Sequence, residues 1–284
     1  MKRLHILILA ALVICLPFGA CSKEEQKTIT VFAGAASKPA LEEAAQAFES
    51  ETGTKVYFNF GGSGTVLSQM KLAKSGDLYI PGSPDYMVTA ERDGVVESES
   101  IKIIAYLIPA ILVQEGNPKN IQALSDLAKP GIKVGIGNPE AVCVGLYAIG
   151  ILDHNNLLTD VGRNIVTQAE SCEKTATLLS LKSVDAVLGW HVFHNWDPDN
   201  IDVVYLKPEQ LPRIAYIPAA ISTFTKDRDS AQEYIEFLLS KQGQEIFQKW
   251  GYIATESEAR KFAPDAEIGG EYKLPDTYYK ILSK

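Results

Sequence analysis

The sequence TITVFAGAAS at residues 28–37 joins a run of β-branched and aromatic residues directly to a loop of small residues. The apolar residues that follow recur at the spacing of one helical face, at Leu41, Ala44, Ala45 and Phe48. A strand that ends in a small-residue loop and opens a helix is the basic unit of an α/β protein. This stretch therefore predicts an α/β fold.

The same unit returns in the next part of the chain. Residues 56–60 are a predicted strand, residues 61–64 (GGSG) a loop, residues 65–74 a helix and residues 78–80 a further strand. Short connections of this kind favour parallel neighbouring strands. We expect a mostly parallel sheet flanked by helices.

A second set of two strands and two helices is predicted at residues 133–137, 185–189, 145–152 and 172–181. The apolar runs at residues 103–113 and 214–224 are long for single buried strands, so we expect them to cross between two lobes. The polar residues 255–284, interrupted by Pro and Gly, are expected to pack along one lobe.

Length and charge exclude several classes of protein. The chain has 284 residues, of which 46% are hydrophobic and 22% charged, an ordinary globular composition. Single cores stop growing at about 250–300 residues, which favours two lobes. The formal net charge of −8 argues against nucleic-acid binding, which needs a basic face. A small anion stays compatible, because backbone N–H groups supply local positive potential.

Residues 1–20 are expected to be a signal peptide. Lys2 and Arg3 precede an apolar run at residues 4–16, which is shorter than the about 20 residues of a membrane span. Small residues then lead to Cys21 and a polar stretch, so the segment resembles a bacterial lipoprotein signal. That resemblance implies lipidation of Cys21 and a tether at residues 21–27; cleavage without a lipid is the alternative.

The chain has four cysteines. Cys15 would leave with the signal peptide, and Cys21 would carry the lipid. Cys143 and Cys172 remain as one pair in an oxidising compartment, where they are either a disulfide or two buried thiols.

Six segments resemble the periplasmic molybdate-binding proteins of ABC importers, in the order of that family. They are ITVFAGAAS at 29–37, LEE with Phe48 at 41–48, FGGSGT at 60–65, GDLYI with DYM at 76–87, GNPE leading to GLYA at 137–148, and residues 231–252. The resemblance implies a two-lobed class II periplasmic-binding-protein fold with two crossover strands. Lobe 1 would comprise residues 28–107 and 219–284, including the C-terminal tail, and lobe 2 residues 108–218.

The resemblance also implies a ligand-binding site, transferred position by position onto Ala36, Ser37, Gly62, Ser63, Val144, Cys172 and Trp190. The hydroxyl positions of the first lobe fall on Ala36, with Ser37 next to it, and on Ser63. Val144 and Cys172 would donate backbone N–H groups, and Trp190 replaces a tyrosine with an indole that donates one hydrogen bond and accepts none. Such neutral donors at strand-to-helix loops suit a tetrahedral dianion, which only accepts hydrogen bonds.

Three of these residues have a structural alternative. Ser37 could be an N-cap, Ser63 a helix cap or turn residue, and Trp190 a core residue. Because the two second-lobe donors are neighbours in the family, the resemblance further suggests a disulfide between Cys143 and Cys172.

Catalysis and metal binding are not predicted. His191 and His194 have a spacing that surface histidines often show, and no Walker loop, zinc-finger spacing or Ser-hydrolase elbow occurs. We therefore expect no catalytic residue, no metal site and no cofactor apart from a transported anion.

The sequence predicts an exported receptor of the periplasm or cell surface, monomeric and anchored through Cys21. It would bind molybdate or tungstate and deliver the anion to an ABC permease and its ATPase. Receptors for sulfate or phosphate are alternatives, and phosphate would need an acceptor such as Glu140 or Glu170. An exported enzyme on the same fold and a ligand-sensing subunit are the remaining alternatives.

Overall fold

The structure is a computed structural model, and it describes residues 26–282. The predicted signal peptide, the lipidation site Cys21 and the tether up to residue 25 lie outside these residues. The strands are β1 Thr28–Gly34, β2 Lys55–Gly61, β3 Leu78–Ile80, β4 Lys102–Leu107, β5 Pro109–Gln114, β6 Val134–Gly137, β7 Ile165–Ala169, β8 Ala186–Trp190, β9 Ile201–Tyr205, β10 Arg213–Ile221 and β11 Glu267–Ile268. The helices are α1 Lys38–Thr52, α2 Ser63–Ala73, α3 Pro84–Arg92, α4 Cys143–His154, α5 Leu158–Gly162, α6 Cys172–Ser180, α7 Phe193–Trp196, α8 Arg228–Leu239, α9 Lys241–Lys249, α10 Glu256–Ala259 and α11 Asp276–Leu282.

Two sheets flanked by helices form two lobes. In the described part of the chain the first sheet has the order β11-β10-β3-β1-β2, with β4 also paired to β10, and the second has the order β7-β6-β8-β5-β9. β1 is parallel to β2 and β3, and β6 is parallel to β7 and β8. β10 and β5 add antiparallel pairs to the two sheets. The two-lobed α/β fold is confirmed, with mixed sheets.

Helix α1 shows how local sequence becomes a packed element. Pro39 lies in its first turn, and Gly53 ends it with a φ of 75°, a conformation that favours glycine. Its buried face includes Phe48, whose ring lies 5.0 Å from that of Tyr234 and 5.5 Å from that of Phe237. Burying a side chain of this size contributes about 1.5–3 kcal/mol.

The first passage between the lobes lies at Ile108. Residues 103–113, predicted as one crossing strand, are mostly two strands, since β4 lies in the first sheet and β5 in the second. The Ile108 backbone N–H donates to the ring atom Nδ1 of His191 (3.2 Å). The Ile108 carbonyl accepts from the backbone N–H of His191 (3.0 Å). The ladder is interrupted because the backbone of Ile108 binds His191 where the chain changes sheets.

The second passage lies earlier than predicted. β10 pairs from Arg213 onward with strands of the first sheet. Residues 213–218 therefore belong with that sheet, whereas the predicted lobe 2 ran to residue 218. The apolar pattern alone does not show which sheet a buried strand joins.

The C-terminal segment, expected to pack along lobe 1, contacts both lobes. β11 pairs with β10 of the first sheet. The Tyr278 hydroxyl donates to Gln168 of β7 in the second sheet (3.4 Å), and Ile281 of α11 packs against Gly162 of α5. Since this segment bridges the lobes, it can influence how they move relative to each other.

Candidate functional site between the two lobes

The lobes are in direct contact at the start of α2. The Gly64 N–H donates to the Ala141 carbonyl of the other lobe (3.0 Å). A Cβ atom on Gly62 would lie 2.7 Å from the backbone carbonyl oxygen of Ala141 and 2.9 Å from that of Glu170. Only glycine therefore lets the two backbones come this close. The structure is therefore a closed arrangement of the lobes.

The first lobe contributes the loops that follow β1, β2 and β3. Ser63 is the first residue of α2, and its hydroxyl oxygen accepts from the Gly82 N–H (3.0 Å). An accepting hydroxyl keeps its own proton, so Ser63 can still donate. The Ala36 carbonyl accepts from the Tyr252 hydroxyl (2.7 Å), which fixes the loop after β1. Ser37 is fully buried, and it makes no side-chain cap bond to α1.

The second lobe meets these loops with the first turns of α4 and α6. Cys143 and Val144 begin α4, Cys172 begins α6, and Trp190 ends β8. A Cβ atom on Gly82 would lie 2.5 Å from Ala36 Cβ and 2.7 Å from Cys143 Sγ. The sequence-predicted residues of the two lobes therefore meet in one buried region.

The predicted disulfide is not formed in the structure. Cys143 and Cys172 are buried free thiols with their Sγ atoms 3.6 Å apart. Burial and the neighbouring Cys143 raise the pKa of the Cys172 thiol well above its ordinary value, against the opposing effect of the Val144 N–H. Cys172 therefore stays uncharged at neutral pH and does not repel an anion.

A set of buried donor groups has no hydrogen-bond partner among the described residues. Its members can all donate, and they are Ser37 Oγ, Tyr147 Oη, Trp190 Nε1, Trp196 Nε1 and Arg213 Nη2. Leaving such a group unpaired costs about 1–3 kcal/mol. A buried region rich in unpaired donors can take a ligand that accepts hydrogen bonds.

Three of these donors, on Tyr147, Trp190 and Arg213, lie close together where the lobes meet. The Tyr147 ring is edge-on to Trp190 with centroids 5.0 Å apart, and the Arg213 guanidinium lies 4.4 Å from the Tyr147 ring centre. The Trp190 indole lies close enough to the Cys172 thiol to lower the pKa of that thiol. The indole N–H itself has no hydrogen-bond partner. Trp196 lines a cavity of about 360 Å³ together with Lys38 of the first lobe.

The sequence analysis did not single out Tyr147, Trp196 or Arg213, whose buried donor groups are unpaired in the structure. Tyr147 lies four residues after Cys143 on α4, so the two share a helical face. That spacing was the available signal for Tyr147. Nothing in the sequence marked Trp196 or Arg213.

Acceptor groups near this region are already engaged or exposed. Among the described residues, Asp85 is the acidic side chain that is buried. Its carboxylate accepts hydrogen bonds from Arg213 (2.9 Å), the Tyr272 N–H (2.9 Å) and the Ser83 hydroxyl (3.0 Å). Glu140 and Glu170 are exposed, and Glu170 pairs with Lys174.

The histidines of the 191–194 segment bind the backbone. His191 accepts from Ile108 at Nδ1 and lies 3.0 Å from the Gly251 carbonyl through Nε2. His194 Nδ1 contacts the Ile201 carbonyl. Within residues 26–282 no three His, Cys, Asp or Glu side chains are placed to hold a metal ion.

An opening lies beside the buried region. A cavity of about 540 Å³ is lined by residues of both lobes, among them Gly62 and Gln69 of the first and Asn138 and Ser171 of the second. A small solute can therefore approach between the lobes.

None of the helices in residues 26–282 is long and apolar enough to span a membrane.

Comparison with known proteins identifies a family. The family described as "Bacterial extracellular solute-binding protein" matches residues 29–253. YvgL of Bacillus subtilis (strain 168), provisionally named an ABC transporter substrate-binding lipoprotein, is 26% identical over 267 residues, covering 89% of this chain and 100% of YvgL.

Two further relatives carry anion-binding names. The molybdate-binding protein ModA of Escherichia coli (strain K12) is 24% identical over 240 residues, covering 80% of this chain and 90% of ModA. The structure of the sulfate-binding protein SubI from Mycobacterium tuberculosis H37Rv matches with a TM-score of 0.73 at 17% identity, covering 86% of this chain and 94% of SubI. At these identities the structural likeness shows the fold.

Proposed function

Because the chain belongs to the family of bacterial extracellular solute-binding proteins, we propose that it is the receptor of an ABC importer and binds a tetrahedral oxoanion, molybdate or tungstate, between its lobes. The observation that carries this proposal is that Ser37 Oγ and Trp190 Nε1, both fully buried, are donors without a hydrogen-bond partner. An oxoanion without protons accepts hydrogen bonds and donates none, so it complements such donors.

The proposed site draws donors from both lobes. Ser37 and Ser63 supply hydroxyl groups from the first lobe, while Val144 and Cys172 supply N–H groups at the first turns of α4 and α6. Trp190 adds an indole N–H. Because the anion would touch both lobes, its binding favours the closed state over the open one.

Sulfate is the second candidate. It is also a tetrahedral acceptor without protons, and the sulfate-binding protein SubI shares the fold. Phosphate fits less well, because its protonated form needs an acceptor. Glu140 and Glu170 are exposed, and Asp85 already binds Arg213.

An enzymatic role has less support than binding. The buried His191 holds backbone groups, and the buried Asp85 holds Arg213 and Tyr272. Neither group is free to act as an acid or base on a ligand, and the relatives are named as binding proteins.

We further propose export and a lipid anchor at Cys21, with an ABC permease and its ATPase as partners. The YvgL relative, named as a lipoprotein and matched over its whole length, supports this proposal. Cys21 lies outside the described residues, and its modification remains a prediction.

Calorimetry and thermal melts with molybdate, tungstate, sulfate and phosphate test the ligand. We expect molybdate and tungstate to bind tightly, with affinity independent of pH above the pKa of each anion, because the proposed donors are uncharged. Ligand at about 1,000 times Kd should stabilise the protein by about 4 kcal/mol. No heat and no thermal shift with molybdate or tungstate would refute the assignment, and preference for sulfate would select the second candidate.

A further inference from the structure

The two thiols of the cleft are a close pair that oxoanion binding does not require. Cys143 and Cys172 are both buried, and their sulfur atoms lie 3.6 Å apart at the first residues of two helices. We propose that these two thiols form a binding site for trivalent arsenic, taken up as arsenous acid and held by two sulfur–arsenic bonds. This inference rests on the thiol geometry and does not depend on which oxoanion the cleft binds.

The sulfur separation suits a single bridging atom. Two sulfurs bound to one centre at about 2.3 Å, with an angle between about 100° and the tetrahedral value, lie about 3.5–3.8 Å apart. The observed separation of 3.6 Å falls in that range. A thiophilic atom can therefore join the pair with little movement of α4 or α6.

The number of ligands favours trivalent arsenic over a metal cation. A zinc ion in a structural site needs four protein ligands. Within residues 26–282 no group of three His, Cys, Asp or Glu side chains is placed to hold a metal. Trivalent arsenic needs three ligands, and two thiols with one retained hydroxide complete that set.

The neighbouring groups suit the retained hydroxide. The Trp190 indole lies beside Cys172, and its N–H lacks a hydrogen-bond partner. It can donate to the arsenic-bound oxygen, as proposed for an oxoanion. Arsenous acid is uncharged in neutral water, so its entry requires no counter-charge.

The reaction is a condensation without any change of oxidation state. Arsenous acid, As(OH)₃, reacts with the two S–H groups to give (Cys143-S)(Cys172-S)As–OH and two water molecules. Two As–O and two S–H bonds break, two As–S bonds form, and each thiol proton leaves on a departing hydroxide. Because both thiols are buried when the lobes are closed, the reaction takes place in the open form.

The test uses the reduced mature protein, arsenite and intact-mass spectrometry. We expect one arsenic per chain, released by excess dithiothreitol. Cys143→Ser and Cys172→Ser should each bind at least about 100-fold more weakly, because removing one of two linked contacts removes the effective-concentration gain. The Ser68→Ala variant should keep arsenite binding, since Ser68 lies at an exposed position on α2 and its hydroxyl donates to the Gly64 carbonyl.

A second measurement needs no substitution. Arsenite should protect both thiols of the wild-type protein from alkylation, and saturating oxoanion should slow arsenite uptake. Two countable free thiols without arsenic binding, or binding that survives either cysteine substitution, would overturn the inference. A protein that binds arsenite but not molybdate would refute only the oxoanion proposal. A protein that binds molybdate but not arsenite would refute only the arsenic site.

Discussion

At the scale of single residues, Ser63 connects the geometry of the first lobe to the proposed ligand. Its oxygen accepts from the Gly82 N–H, and its own proton remains to be donated. The hydroxyl therefore has one fixed partner within the protein and one direction open to an anion.

Replacing Ser63 with Ala should weaken oxoanion binding by about 10- to 150-fold, since a hydrogen bond to a charged group contributes about 1.5–3 kcal/mol. Titration calorimetry measures the change. Ser68→Ala is the matched control, because Ser68 lies on the same helix and its hydroxyl donates to the Gly64 carbonyl at an exposed position. Equal affinity of the Ser63→Ala variant and the wild type would remove Ser63 from the site.

At Trp190 the contributions of packing and of hydrogen bonding can be tested separately. Its ring is fully buried against Tyr147, whereas its N–H is unpaired. Trp190→Phe keeps an aromatic ring and removes the donor, so we expect a loss of anion affinity of at least about tenfold. Trp250→Phe serves as control, because the Trp250 indole donates to Glu43 away from the cleft. If both variants bind equally well, Trp190 is only a core residue.

At the scale of elements, His191 holds together the parts of the chain that connect the lobes. It follows β8 and binds the backbone of Ile108 between β4 and β5 and of Gly251 after α9. Because Nδ1 accepts from Ile108, the neutral ring with its proton on Nε2 fits both contacts. Burial lowers the pKa of His191 from 6.5 to about 4.

This shift predicts how stability depends on pH. The unfolded chain takes up a proton near pH 6.5, while folded His191 resists it down to about pH 4, so stability falls as pH decreases through that window. The loss should reach about 3 kcal/mol.

Urea denaturation across this pH range measures the effect. Other carboxylates also titrate there, so the informative quantity is the difference between the wild type and His191→Gln. The variant should show a flatter pH dependence. Parallel curves for the two proteins would contradict a buried, neutral His191.

At the scale of the whole molecule, the C-terminal segment links the lobes through Tyr272. Its N–H donates to Asp85 of the first lobe (2.9 Å), and its hydroxyl donates to Asp153 of α4 in the second (3.1 Å). Its ring lies 5.3 Å from the Arg213 guanidinium. One residue thus contacts both lobes.

Replacing Tyr272 with Ala should shift the lobes toward the open state. We expect a lower Tm and a several-fold weaker anion affinity, because the Tyr272 side chain touches α4 and Arg213 together only when the lobes are closed. Small-angle X-ray scattering should show a larger radius of gyration without ligand. Tyr57→Phe, at an exposed position on β2, should change none of these values. A Tyr272→Ala protein that closes and binds normally would limit this segment to local packing.

Sequence reasoning named several residues of the candidate site, and their role in binding a ligand stays a prediction. Ser63, Val144 and Cys172 were placed through the resemblance, and the structure brings them to the same lobe contact. Tyr147 was missed, because a tyrosine in an apolar helix has the pattern of a core residue. Whether its hydroxyl is paired depends on residues far away in the chain.

The sequence by itself determined the two-lobed α/β fold, because the strand and helix periodicities and the small-residue loops are local properties of the chain. Only the tertiary structure decided where the chain changes sheets at Ile108, that the C-terminal segment joins both lobes, and that the neighbouring Cys143 and Cys172 are free thiols. Those features depend on contacts between residues that are distant in the chain. Whether a buried donor of the cleft has a hydrogen-bond partner depends on the same three-dimensional packing.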